Sequence, residues 1–180
     1  FDQSHYSAKI FGNYYQTNKK LFNKEIKKFI NFNCNLFKYL GINLVAAPVL
    51  DLFYERKSDV IGNRAYSNKV EVVKDIANKI INLYYKKKIF TIGKHVPGHG
   101  LSNQDSHFFL PVIKESIEYL FKNDFRCFEN IKSNFLMTAH IIYENVDKNL
   151  PATHSSLIIK NIIKSKLKFR GLIMSDDLCM

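Results

Sequence analysis

Apolar and polar positions along the chain repeat with two different periods. From Asn18 to Leu40, Phe22, Ile26, Phe29, Ile30, Leu36, Phe37 and Leu40 recur at helical spacing with lysines between them, and Gly41 supplies a stop, which predicts a helix. Ile42 to Leu52, INLVAAPVLDL, is an apolar run too short and too proline-interrupted for a helix and reads as a strand buried on both faces. A second helix is predicted from about Asn68 to Lys86, capped by Ser67 or Asn68, with Val72, Val73, Ile76, Ile80 and Leu83 on one side. Ile89 to Gly93 is the next strand. Pro111 then suits the first turn of a third helix, with Val112, Ile113, Ile117, Leu120 and Phe121 as its apolar stripe. Phe135 to Ala139 reads as a strand, about Ser155 to Leu167 as a helix, and Gly171 to Met174 as a final strand.

Four strands separated by helix-length segments predict an α/β fold with a parallel sheet, because parallel strands need crossovers of that length. The polar residues gather at one end of it. Asp51, Lys94 with His95, His140 and Asp176 all stand at or just beyond carboxyl ends, where α/β barrels and open α/β sheets carry their sites. A (β/α)8 barrel takes roughly 250 residues. Residues 1–180 therefore read as a single domain holding about four βα units, the central portion of a larger barrel.

Composition narrows the function classes. A hydrophobic share of 46% over 180 residues suits a globular core, and no apolar run approaches the roughly 18 residues of a membrane span. The net charge of +11 invites a nucleic-acid reading, but the lysines are spread over almost every helix instead of forming a stripe, so most of the charge reads as solvated surface. Cys34, Cys127 and Cys179 form neither a disulfide framework nor a CxxC pair, which points to a reducing compartment. There is no glycine-rich dinucleotide fingerprint and no phosphate loop.

The stretch Lys94 to Pro111, KHVPGHGLSNQDSHFFLP, concentrates the candidate chemistry and reads as a long polar loop after a short strand. His95, His99, His107, Asp105 and His140 supply ligand types for zinc, and a metal-dependent hydrolase is one alternative. The other is metal-free proton transfer, since an imidazole titrates near neutral pH and Asp105, two residues before His107, can orient it; an Asx-type turn with His107 exposed explains the same residues. Asp176 follows an apolar strand directly, so its carboxylate must be paired or must work, and a carboxylate nucleophile facing a separate proton donor is the arrangement of retaining glycoside hydrolysis. Asp51 and Arg64 read as ordinary loop charges on pattern alone.

Seven segments in one order carry a resemblance: APVLDL at Ala47–Leu52, IGNRAYS at Ile61–Ser67, GKHVPGHG at Gly93–Gly100, DSH at Asp105–His107, LP at Leu110–Pro111, AHIIY at Ala139–Tyr143 and SDDLCM at Ser175–Met180. In these the chain resembles the bacterial β-N-acetylhexosaminidases of glycoside hydrolase family 3. The resemblance implies a TIM-type barrel and a retaining mechanism, with Asp176 as nucleophile and His107, paired with Asp105, as acid/base. It also implies that Arg64, Lys94 and His95 bind the terminal N-acetylglucosamine, and that His140 lies near the site. Members use no metal or cofactor and release β-linked N-acetylglucosamine from cell-wall fragments, generally in the cytoplasm, and a complete barrel of this kind is expected to be a monomer. Val96 replaces a usual phenylalanine, Cys179 replaces a small polar residue, and the family's DQEGG-containing segment does not occur here. These 180 residues alone are accordingly expected to turn over little or nothing, and a sugar-binding fragment without catalysis is a further alternative.

Overall fold

The structure, a computed structural model, describes residues 6–55, 60–104 and 108–179. It opens on a helix the periodicity does not predict, α1 (Ala8–Thr17), capped by Ser7, whose side chain accepts from the Ile10 amide. Asn18 ends α1 and starts α2 (Lys19–Tyr39), where its side chain accepts from the Leu21 amide. The buried face of α2 is Phe22, Ile26, Ile30 and Cys34, four positions four residues apart, as an apolar stripe on a helix requires. Gly12 lets α1 approach the chain closely, since a Cβ built there would lie 1.6 Å from the Tyr66 carbonyl oxygen.

The sheet holds four parallel strands, β1 (Leu44–Val45), β2 (Phe90–Val96), β4 (Phe135–Thr138) and β6 (Leu172–Met174), in that order. Between β1 and β2 runs α3 (Val70–Tyr85), with Val73, Ile76, Ala77, Ile80, Ile81 and Tyr84 buried. Its N-cap is Lys69, without a side-chain cap bond; Ser67 instead accepts from the Lys69 amide at 3.1 Å. The Ile42–Leu52 run is a strand only at Leu44–Val45 plus a single bridge from Val49 to Lys94, because Pro48 has no amide to give a ladder.

The helix expected from Pro111 is corrected. Val112 and Ile113 form β3, which pairs in parallel with β5 (Ile142–Tyr143) in a separate two-stranded sheet. Ile113 is buried and Val112 exposed, the alternation of a strand. Helix α4 is only Ile117–Lys122, begun by Ser116, whose hydroxyl accepts from the Tyr119 amide. The crossover from β4 to β6 includes a π-helix, Ile158–Lys166, buried through Ile158, Ile162 and Ile163. Helices and sheet share one apolar core, from Phe11, Phe22 and Ile26 through Ile76 and Ile80 to Leu136, Phe125 and Tyr143.

Candidate active site

Strand β2 is longer than its apolar segment: it continues through Lys94 and His95 to Val96, so these two lie on the sheet and not in a loop. The register against β4 slips there, Lys94 pairing with Met137 and Val96 with Thr138, which leaves His95 as the extra residue of a bulge. Neighbours on a regular strand face opposite ways. Here both attend to the same two carboxylates: His95 contacts Asp51 and Asp176, and both carboxylates act electrostatically on Lys94.

Asp51 is the anchor. The Leu50 amide donates to the Lys94 carbonyl at 2.6 Å and the Lys94 amide to the Pro48 carbonyl at 3.1 Å, which ties the residues after β1 to β2. Asp51, 1% exposed, is thereby held under the turn that follows β2. It accepts Nδ1–H of His95 at 2.7 Å, the His95 amide at 3.3 Å to each oxygen, and the His99 amide at 2.7 Å. Burial by itself would raise the Asp51 pKa; the charges and hydrogen bonds of His95 and His99 outweigh it and hold the carboxyl below its ordinary range. His99 is pushed the other way, burial lowering its pKa against the pull of Asp51.

With Nδ1–H given to Asp51, the other nitrogen of His95 is left facing the mouth, and Nε2 lies 3.7 Å from Oδ2 of Asp176. Asp176 follows β6, its side chain is 27% exposed, and its Oδ1 accepts from the Asp177 amide at 2.9 Å. Lys94 is half-buried, and its pKa is lowered by burial and by Arg64, with Asp176 and Asp51 opposing. Arg64 ends a short 3-10 turn, Gly62–Arg64, is exposed, and donates Nε and Nη2 to the Val60 carbonyl at 3.0 and 2.5 Å. It reaches the cluster through its field on Lys94, not by contact with Asp176.

His140, just after β4, ties two segments together. Its Nε2 meets the Asp177 carbonyl at 2.9 Å, which can only accept, so Nε2 carries the proton; Nδ1 meets the Thr153 hydroxyl at 2.7 Å. His140 therefore anchors the backbone beside Asp176. Asp105 and His107 lie outside the described residues. The turn leading to them closes with Ser102, whose hydroxyl accepts from the Gln104 amide at 3.2 Å, and the chain resumes with Phe108, Phe109 and Leu110 exposed. Among the described residues no group of three His, Cys, Asp or Glu side chains is placed to hold a metal ion.

Sequence reasoning put Asp51 at the carboxyl ends of the strands but gave it no role, reading it as an ordinary loop charge. The signal was present, since Asp51 follows an apolar run as Asp176 does, and a carboxylate in that position must be paired. Thr153, which orients His140, carried no pattern at all.

A parallel sheet with crossover helices and titratable side chains collected past its carboxyl ends defines a partial (β/α) barrel of the enzyme type. The chain belongs to glycosyl hydrolase family 3: the model of that family's N-terminal domain matches residues 22–180. A curated β-hexosaminidase of Nitrosomonas eutropha is 36% identical over 146 residues, 79% of this chain and 41% of the relative. Native NagZ from Neisseria gonorrhoeae superposes with a TM-score of 0.87 at 30% identity, covering 97% of this chain and 51% of that one. The same protein in complex with N-trifluoroacetyl-D-glucosamine superposes at 0.86, with 30% identity, over 96% and 51% of the two chains. This chain thus spans about half the length of the relatives it matches.

Proposed function

We propose that this chain carries the chemistry of a retaining β-N-acetylglucosaminidase that removes terminal β-linked N-acetylglucosamine from peptidoglycan fragments. Asp176 attacks the anomeric carbon and forms a glycosyl ester. His107, oriented by Asp105, protonates the departing oxygen and then takes a proton from the water that opens the ester. Arg64, Lys94 and His95 hold the sugar, and His140 fixes the backbone beside the nucleophile. The single observation that carries the reading is the exposed face of Asp176 at the end of β6, 3.7 Å from a histidine whose other nitrogen is locked onto a buried carboxylate. Family membership and the likeness to a NagZ that binds a glucosamine derivative support it. The work is proposed to take place in the cytoplasm on a carbohydrate partner, without nucleic acid, in a monomer once the barrel is complete; the three cysteines are free, as a reducing compartment keeps them.

The test is hydrolysis of a chromogenic N-acetylglucosaminide by the full-length protein with its barrel complete, and by the Asp176→Ala variant of it. The variant is expected to lose about a thousandfold or more in kcat. A 2-fluoro sugar that labels any residue other than Asp176, or an Asp176→Ala protein with undiminished turnover, overturns the mechanism. A second reading concerns these residues on their own: among the described residues the main sheet has four strands where a closed barrel has eight, and such a piece binds N-acetylglucosamine without hydrolysing it. Calorimetric binding with no product release selects that reading.

A further inference from the structure

The turn after β2 is braced from below by a carboxyl group to which the proposed chemistry gives no part. Asp124, 1% exposed, precedes the 3-10 turn Phe125–Phe128. Its Oδ2 accepts from the Tyr54 hydroxyl at 2.8 Å, while Oδ1 is buried and has no hydrogen-bond partner among the described residues. Gly98, at φ 142°, lies directly against it: a Cβ on Gly98 would fall 2.7 Å from the Asp124 Cβ and 3.4 Å from Oδ1. The Tyr143 hydroxyl donates to the Gly98 carbonyl at 2.5 Å, and the next amide, that of His99, is the one Asp51 accepts. The turn is therefore held at two successive residues, by the Tyr143 hydroxyl at Gly98 and by Asp51 at His99, with Asp124 packed against Gly98.

The titratable groups facing Asp124 are Tyr54 from the segment after β1, Tyr119 from α4 through its bond to Tyr54, Cys127 from its own turn, Tyr143 from β5, and the carboxyls of Asp51 and Glu115. None of these is cationic; Lys74 of α3, paired with Glu129, acts together with Glu71 on Cys127 of the same turn. An anion at Asp124 would oppose Asp51, whose charge holds His95 and His99 in place.

We propose that Asp124 is a positioning residue that works as a neutral acid: protonated, it seats Gly98 and leaves Asp51 alone to bind His95 and His99, and on ionising it loosens the His99 amide from Asp51. Burial raises the Asp124 pKa to about 7, the Tyr54 hydrogen bond opposing and the Asp51 and Glu115 charges adding to the rise, so the change falls in the neutral range. The inference deepens the glycosidase reading, on which it rests for its catalytic consequence, but its readout requires no turnover.

Amide hydrogen exchange of His99, read by NMR from about pH 6 to about pH 8.5 and corrected for intrinsic exchange, tests it, with Leu136 in the central strand β4 reporting global opening. The His99 amide is expected to lose about tenfold in protection relative to Leu136 through a midpoint near 7, and Asp124→Asn, which cannot ionise, to hold it constant. Tyr54→Phe removes a hydrogen bond that favours the carboxylate and is expected to move the midpoint upward. The same pH dependence in wild type and Asp124→Asn overturns the proposal. So does a Tyr54→Phe midpoint that stays or falls, which decides the matter even where Asp124→Asn does not fold. Loss of protection as described in a protein without glycosidase activity leaves this inference standing and removes only the functional reading.

Discussion

Replacing Asp51 by alanine removes one acceptor group from three donors at once: Nδ1–H and the amide of His95, and the amide of His99. These contacts are closed to water, Asp51 being 1% exposed and His95 5%, so the donors have nothing to turn to. Each buried donor left unsatisfied costs about 1–3 kcal/mol, and losing a hydrogen bond to a charged group costs about 1.5–3 kcal/mol. The two figures overlap in the same contacts, and an expected loss of about 4 kcal/mol follows, a large part of the roughly 5–15 kcal/mol a domain holds. Urea unfolding followed by circular dichroism measures it. Asp51→Asn keeps one carbonyl oxygen for the His99 amide but turns an amide group toward His95, so about half the loss is expected, with the His95 proton moved to the nitrogen facing Asp176, which imidazole 15N shifts report. The Asp51 pKa is held below its ordinary 3.8, so the stability it confers is present in full above 3.8 and disappears as pH falls through the folded-state value. The gap between wild type and Asp51→Asn is expected to narrow below about pH 4. An Asp51→Ala loss under about 1 kcal/mol, or a gap that does not shrink in acid, refutes the reasoning.

Asp124 carries the opposite sign. With its pKa raised from 3.8 to about 7, stability falls as pH climbs between those values, and Asp124→Asn is expected to lack that fall, gaining up to roughly 4 kcal/mol on wild type between pH 4 and pH 8 in the same unfolding assay. Gly12→Ala would place a methyl group 1.6 Å from the Tyr66 carbonyl oxygen; since backbone must move to admit it, a loss of about 3 kcal/mol or more and a lowered Tm are expected. Ile26→Ala, at a fully buried position of α2, is expected to cost about 2–5 kcal/mol by denaturant unfolding, which checks that this face seals the core.

Elements with an extended run of core-facing positions were legible in sequence. The expected Asn18–Leu40 helix is Lys19–Tyr39, the expected Phe135–Ala139 strand is Phe135–Thr138, and the family likeness is borne out by the match over residues 22–180. What escaped did so for local reasons. Helix α1 buries only Phe11 and Gly12, adjacent positions that make no stripe. Two-residue strands such as β3 and β5 have no period to detect, so the apolar pair Val112–Ile113 passed for the start of a helix. At the site, the contacts that give Asp51 its role join residues 44 and 48 positions away, and Tyr54 meets Asp124 across 70. No window along the chain spans such distances, and only the packed sheet brings them together.

The close approach of α1 to Tyr66 bears on how the guanidinium two residues earlier can move. With that carbonyl pressed against a helix turn, the main chain beyond Arg64 has no room to travel. On the proposed reading, Arg64 then meets the sugar by rotation about its own side-chain bonds, a motion of picoseconds to nanoseconds for an exposed side chain.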